Sequence, residues 1–421
     1  MNVFRKKAGA LKQLFNSLGP GLITGASDDD PSGIATYSQA GAQFGLSTLW
    51  TALFTFPLMS AIQEMCARIG IVTQHGLTGV LKEHYPRWLL YFVVVLSCPA
   101  IVLNIGADIA GMGAVFNLMF PAIRASMFSM VSMGVLIIVM IKLPYFKIAA
   151  ILKWLCAVLL VYLIVPFLVE QKWEPILNNT FVPKIHLNKE YLLILVAILG
   201  TTISPYLFFW QTSMEVESMR SRKKNIVVDK FLLPEMKRDV RYGMFFSALV
   251  MYFIILTAGS VLFPAGLHTI DTVEDAAKAL QPLAGNLSYA LFAIGVIGTG
   301  FLAIPVLAGS MSYIISNIFN WQEGLDKKFF EARGFYIVLI ISVLVGMLIN
   351  LTNISPVKAL LYTAILYGVT APVLIGVILH ISNNRKVMGE YVNNTSTNIV
   401  GFITLALMSV AAILLLYYSF F

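Results

Sequence analysis

The sequence predicts an all-α polytopic membrane protein, and three observations carry that prediction. Of 421 residues, 58% are hydrophobic and only 12% are charged, whereas soluble globular domains carry about 25% charge. The mean hydropathy is +0.81. Apolar runs of about 20 residues, each enough to cross a bilayer as a helix, follow one another almost to the C-terminus.

A window of about 19 residues places about eleven spans, at 17–44, 47–73, 88–115, 122–142, 146–170, 191–217, 240–263, 285–318, 335–351, 356–381 and 396–420. The first follows a basic stretch, Arg5 to Lys7. No small-residue cleavage site closes a short apolar core there, so no cleaved signal peptide is expected. The first and second spans, and the ninth and tenth, are separated by turn signals alone. Between the sixth and seventh lies the most basic loop, with Arg220, Arg222, Lys223, Lys224, Lys230, Lys237, Arg238 and Arg241, which should be cytoplasmic. Threading from that loop puts the N-terminus inside and the acidic loop at 264–284, with Asp271, Glu274 and Asp275, outside. The C-terminal Tyr417, Tyr418, Phe420 and Phe421 then fall at the external interface, where aromatic side chains are favoured. The expected location is the plasma (inner) membrane of a bacterial-type cell, multi-pass.

This layout removes the usual meaning of the net charge of +8. A basic excess in such a chain belongs to cytoplasmic loops, and no nucleic-acid partner is expected. Cys66, Cys98 and Cys156 sit in or beside apolar segments without CxxC spacing and read as buried thiols. No nucleotide-binding GxxxxGK[ST] loop and no HExxH motif is present, which argues against an ATP-driven pump and a zinc hydrolase. The expectation is a transporter, not an enzyme.

The first and sixth spans share an unusual feature. The first contains Gly25-Ala26-Ser27-Asp28-Asp29-Asp30-Pro31-Ser32-Gly33, and the sixth contains Gly200-Thr201-Thr202-Ile203-Ser204-Pro205-Tyr206. Proline lacks an amide donor and clashes with the carbonyl four residues back, so each helix should break there and leave backbone groups unpaired. Within a membrane that is tolerated only where the backbone lines a cavity or binds something. Two such interruptions five spans apart point to an inverted repeat, about 17–170 and 191–381, around a midplane site, with 396–420 as an additional helix of one transmembrane domain.

Asp28, Asp29 and Asp30 form the only acidic run inside an apolar span. An ionised carboxylate at that depth costs at least a few kcal/mol unless something offsets it. Asp30 has two readings: a carboxylate presented to a cation at the break, or an N-cap for the half-helix that follows. Asp28 and Asp29 read as structural or vestibule residues. Thr201, Thr202 and Ser204 are hard oxygen donors, and with a carboxylate and freed carbonyls they suit Mg, Ca or Mn better than a soft metal. Alternatively their hydroxyls bond back to their own backbone. Asp108, in the small-residue run Gly106 to Gly113 of the third span, reads as a proton relay, a gate or a structural group. Glu64 and Arg68, four apart, read as a local ion pair, and Glu215 and Glu217 as interfacial pairs. The five histidines, His75, His84, His186, His268 and His380, fall in loops or at span ends.

Gly25 to Thr36, GASDDDPSGIAT, and Gly200 to Gln211, GTTISPYLFFWQ, resemble the first and sixth helices of the NRAMP family of divalent metal transporters. ADIAG, from Ala107 to Gly111, and Gly300 to Gly309 add to the match, which spans essentially the whole chain. The resemblance implies a LeuT-type fold, a cytoplasmic N-terminus and alternating access around a metal ion that is substrate, with no cofactor. Carried over by position, the ion would meet the Asp30 side chain, the carbonyls of Ser27 and Thr201, and the Ser204 hydroxyl. Gly33 stands where the family has an asparagine ligand, and Ser204 and Tyr206 where it has methionine and histidine. A glutamine of the tenth helix aligns with Ala364.

Losing the thioether removes the soft ligand that discriminates against hard ions. The pattern is similar to the NRAMP-related magnesium transporters, a divergent branch, and implies Mg²⁺ or Mn²⁺ as cargo. The family's acidic pair in the third span is represented by Asp108 and Gly111, so proton coupling is not carried over with the fold. Asp108, Tyr206, Asp28 and Asp29 remain the candidates for a proton or gating path. Expected partners are the ion, the bilayer and, where coupling exists, a proton, with the chain functional as a monomer. The competing readings are a transporter of a small organic cation or amino acid on the same fold, and a membrane enzyme or structural receptor.

Overall fold

The structure is a computed structural model, and it describes residues 19–143, 147, 162–168, 172–221, 232–285, 288–348 and 354–420. Most of the expected fifth span, Cys156, the basic stretch Arg5 to Lys7, and Arg222, Lys223, Lys224 and Lys230 lie outside those residues. The described residues form helices and no strand. They are α1 (Pro20–Asp28), α2 (Pro31–Phe44), α3 (Trp50–Thr73), α4 (Leu77–His84), α5 (Arg87–Met119), α6 (Ala125–Lys142), α7 (Trp173–Phe181), α8 (Lys189–Thr202), α9 (Pro205–Ser221), α10 (Leu232–Val261), α11 (Val273–Ala277), α12 (Ser288–Phe319), α13 (Arg333–Met347), α14 (Pro356–Asn383) and α15 (Thr395–Phe420).

Seven helical stretches among the described residues are long and apolar enough to cross a membrane: α5, α6, the α8–α9 pair, α10, α12, α14 and α15. α13 is shorter but apolar, and α3 follows the broken pair α1–α2. Ten of the eleven expected spans therefore have their helices. Hydropathy missed what charge conceals. α10 starts at Leu232 rather than 240 because its first turns carry charges that have partners. Asp239 accepts the amides of Gly19 and Gly21 at 3.0 and 2.7 Å, capping α1. Lys237 pairs with Glu64 at 2.9 Å. The expected Glu64–Arg68 pair is not a direct ion pair: Arg68 donates to the Asn393 side chain, and the Glu64 charge acts on it from a longer distance. Glu215 accepts from Gln211 at 2.8 Å and is buried.

α1, α2, α8 and α9 lie inside the protein. α10 packs along α1, α2 and α3, while α8 packs on α14, and α5 packs on α12 and α14. Small residues set the closest approaches. A Cβ placed on Gly25 would come 2.2 Å from the Gly243 carbonyl oxygen, and one on Gly200 would come 2.0 Å from that of Ala364. At the periphery the pattern inverts. α6 turns Ser129 and Ser132 inward, with Ser129 donating to the Ile109 carbonyl at 3.1 Å. Its Met127, Val131 and Ile138 point outward, as lipid-facing residues should.

Beyond α12, Glu323 accepts from Asn317 at 2.8 Å and stands 3.9 Å from Arg220. Burial pushes its carboxyl up to about 7, against the pull of Arg220 and Lys327. A raised carboxyl stabilises the fold fully below its unfolded value of about 4.5, and that contribution is lost as pH rises through 7. The thermal midpoint should therefore decline between about pH 5 and 8 in the wild type and flatten in Glu323→Gln. Separately, Gly25→Ala should cost at least about 1–3 kcal/mol, read as a lower midpoint in detergent. Gly134→Ala, with nothing within 4 Å of the added Cβ, should be close to neutral.

Candidate metal site

The two breaks are built alike. α1 runs to Asp28, Asp29 and Asp30 leave the helical path, and α2 begins at Pro31. α8 runs to Thr202, Ile203 and Ser204 intervene, and α9 begins at Pro205. Each proline takes the first helical position, where its missing amide costs nothing. The carbonyls left at the other side of each break find hydroxyls. Ser27 O accepts from Tyr206 at 3.0 Å, and the Ser204 hydroxyl lies 3.0 and 2.6 Å from the carbonyls of Gly200 and Thr201. Of the alternatives open for Ser204, bonding to its own backbone is therefore realised, and its oxygen keeps lone pairs for another partner.

Asp30 caps α2. Its Oδ1 accepts the Gly33 amide at 2.7 Å, and its Oδ2 accepts the Asn104 side-chain amide at 3.0 Å from α5. Capping and cation binding are compatible here, because each carboxylate oxygen retains a second lone pair. Gly33 brings the breaks together: a Cβ there would lie 3.4 Å from Thr201 Oγ1 and 3.3 Å from the Asp28 carbonyl oxygen. Ser27, Asp30, Thr201 and Ser204 are all at most 2% exposed, so these groups are buried within the bundle.

Asp28 and Asp29 face α10. Ser247 donates to Asp28 at 2.7 Å and reaches Asp29 at 3.5 Å, leaving Asp28 Oδ1 and Asp29 Oδ2 without hydrogen-bond partners. Asp108 is fully buried on α5, near enough to Asp30 for their charges to interact, with the Ser32 backbone amide at the start of α2 beside its carboxyl. Among the described residues no Lys or Arg forms an ion pair with these four aspartates. The centre is thus a concentration of oxygen acceptors. Among the described residues no group of three or more His, Cys, Asp and Glu side chains is placed to hold a metal ion. A cation here would rely on one carboxylate with carbonyls, a hydroxyl and water.

Ala364, aligned with a ligand, contributes no polar side chain, and its carbonyl lies against Gly200. Nearby, the Ser32 hydroxyl donates to the Leu360 carbonyl at 2.9 Å, tying α2 to α14. Tyr206 lies beside Tyr367, ring centroids 5.7 Å apart. On the α2 side of the break is a small pocket with apolar lining that includes Pro31, Ala35, Gly111, Val296 and Leu360. Sequence reasoning missed Asn104 and Ser247. Asn104 was detectable, since it precedes Asp108 by one helical turn and so shares its face. Ser247 carries no such signal.

Comparison with known proteins agrees with this architecture. The family model described as natural resistance-associated macrophage protein-like (Nramp) matches residues 21–418. Two curated relatives are divalent metal cation transporters named MntH. That of Clostridium acetobutylicum is 27% identical over 97% of this chain and 92% of its own length. That of Caldanaerobacter subterraneus subsp. tengcongensis is 25% identical over 97% and 94%. In three dimensions the chain is similar to the manganese transporter of Eremococcus coleocola, with a TM-score of 0.76 and 18% identity over 96% of this chain and 86% of that one. Mhp1, a nucleobase-cation-symport-1 family transporter in a closed conformation, matches at a TM-score of 0.54 with 12% identity, over 95% and 91%. The expected all-α, LeuT-type architecture with broken first and sixth spans is therefore present, and the chain belongs to the Nramp family.

Proposed function

We propose that this chain takes up a divalent metal cation by alternating access, with hard ions, Mg²⁺ and Mn²⁺, as cargo. The observation that carries the reading is the pairing of the two breaks around Asp30, whose carboxylate is buried among oxygen acceptors with, among the described residues, no basic side chain in an ion pair with it. The cation meets the Asp30 carboxylate, the carbonyls of Ser27 and Thr201, and the Ser204 hydroxyl. With Gly33 contributing no side chain, water completes the coordination, which suits an ion that sheds its hydration reluctantly. The names of the MntH relatives and of the manganese transporter point the same way.

Ser204 sets the ion preference in this account. A thioether would bind hard ions poorly and transition metals well, whereas a hydroxyl makes no such distinction. Binding changes the breaks directly, since the hydroxyls of Tyr206 and Ser204 hydrogen-bond the same carbonyls the ion uses. A carbonyl has two lone pairs, so the ion joins or displaces those hydroxyls, and the halves of each broken helix acquire a state-dependent contact. The N-terminus is cytoplasmic, following the lysines and arginines of the loops. Inward movement of a divalent ion gains about 4.6 kcal/mol per 100 mV, twice the single-charge value, so uptake needs no proton. Asp108, Tyr206, Asp28 and Asp29 then gate or relay rather than drive.

In proteoliposomes at fixed potential, wild type should take up Mg²⁺ and Mn²⁺ without internal acidification, and Asp30→Ala should abolish uptake while inserting normally. Acidification locked to metal entry would replace the uncoupled reading with symport. No divalent uptake by a folded, inserted protein would refute the reading and favour an organic cation. Ser204→Met should shift the Mn²⁺-to-Mg²⁺ uptake ratio toward Mn²⁺ by about tenfold or more. An unchanged ratio would remove Ser204 as the determinant.

A further inference from the structure

Asn104 is in contact with the metal-site carboxylate but belongs to neither broken helix. It lies on α5, is fully buried, and donates its side-chain NH₂ to Asp30 Oδ2 at 3.0 Å. That contact fixes the amide's orientation, because a carboxylate acceptor must face the nitrogen and not the oxygen. The amide oxygen, Oδ1, is left buried and without a hydrogen-bond partner. One helical turn along the same face is Asp108, also fully buried, whose carboxyl has the Ser32 backbone amide beside it and lone pairs to spare. A buried acceptor left unmade costs on the order of 1–3 kcal/mol, more when charged. The unpartnered Asn104 oxygen, on one face with the Asp108 carboxyl and next to Asp30, points to a ligand that donates hydrogen bonds.

Resting on the cation reading above, we infer that Asn104 and Asp108 form an acceptor wall for water molecules that the bound divalent ion keeps, with Asn104 Oδ1 as the residue that sets the ion's retained hydration. Water bound to a divalent cation is a strong donor with two hydrogens and no need of a protein acceptor turned toward the metal. Such water matches Oδ1 of Asn104 and the Asp108 carboxylate, whereas a bare ion held by direct ligands would leave them unsatisfied. Asn104 thus has two roles through one planar group: its NH₂ positions the Asp30 carboxylate, and its oxygen receives the hydrate.

Isothermal titration of the purified full-length protein with Mg²⁺ separates these roles. Asn104→Leu keeps the side-chain size and loses both the donor and the acceptor, and should weaken Mg²⁺ about tenfold or more. Asn104→Asp keeps an oxygen and loses the donor, and should stay within about threefold of wild type. Equal weakening in both variants would overturn the acceptor role and leave only the positioning of Asp30. Wild-type affinity in Asn104→Leu would overturn the inference altogether. A second measurement needs no variant. Electron-nuclear double resonance of Mn²⁺ bound to wild type, compared in H₂O and D₂O, should show exchangeable protons of metal-bound water, and their absence would overturn it. If the wild type binds neither ion, the transport reading itself fails and this inference falls with it. If the wild type binds and Asn104→Leu is unaffected, only the inference fails.

Discussion

A helix broken inside a membrane must satisfy its own loose ends, and the rest of this structure depends on how that is done. Lipid offers no hydrogen bonds, so each unpaired carbonyl or amide would cost several kcal/mol. The chain meets the requirement with side chains placed within a turn of each break. Asp30 caps the amides of α2, the Ser204 hydroxyl serves the end of α8, and Tyr206 reaches across to Ser27. The last contact matters most, because it makes the end of one broken helix depend on the start of the other. The breaks cannot be repaired independently, so they form one unit.

Surrounding packing keeps that unit buried. Glycines let α10 approach α1 and let α14 approach α8 at backbone distance, leaving no room for water at the crossings and holding the breaks at fixed separation. The result is an enclosed concentration of acceptors, with four aspartates and several carbonyls and, among the described residues, no basic side chain in an ion pair with them. Such an arrangement is poor as a purely structural core, since buried carboxylates without cations are costly. It is well suited to a positively charged cargo, whose binding removes the cost it would otherwise incur. In the proposed reading stability and function are linked at Asp30: the residue that caps the helix would also draw the ion.

Much of this was legible in the sequence, for identifiable reasons. Both breaks could be placed within a residue or two, because proline within an apolar run has one structural consequence. Ten spans were found because a bilayer requires length and apolarity, and little else imitates that signal. Hydropathy failed where charged residues are paired inside the protein. The first turns of α10 were lost because Lys237 and Asp239 look like loop residues until Glu64 and the amides of α1 are seen beside them. Arg68 was assigned to Glu64 by spacing, but tertiary partners, Lys237 for one and Asn393 for the other, outweighed the local pair. Asn104 could be tied to Asp108 by helical spacing, whereas Ser247 could be recognised as a site residue only once α10 was folded against the first break. Periodicity says which residues share a face, and not which face meets the aspartates.

The account stands on an ion at the junction of the two breaks. Anomalous diffraction from crystals grown with Mn²⁺, collected above the manganese absorption edge, locates that ion directly. The account predicts one peak within coordination distance of the Asp30 carboxylate and the carbonyls of Ser27 and Thr201, with ordered water between the ion and Asn104. A saturating peak at any other position in the membrane, with the Asp30 carboxylate still bonded only to Gly33 and Asn104, would contradict it.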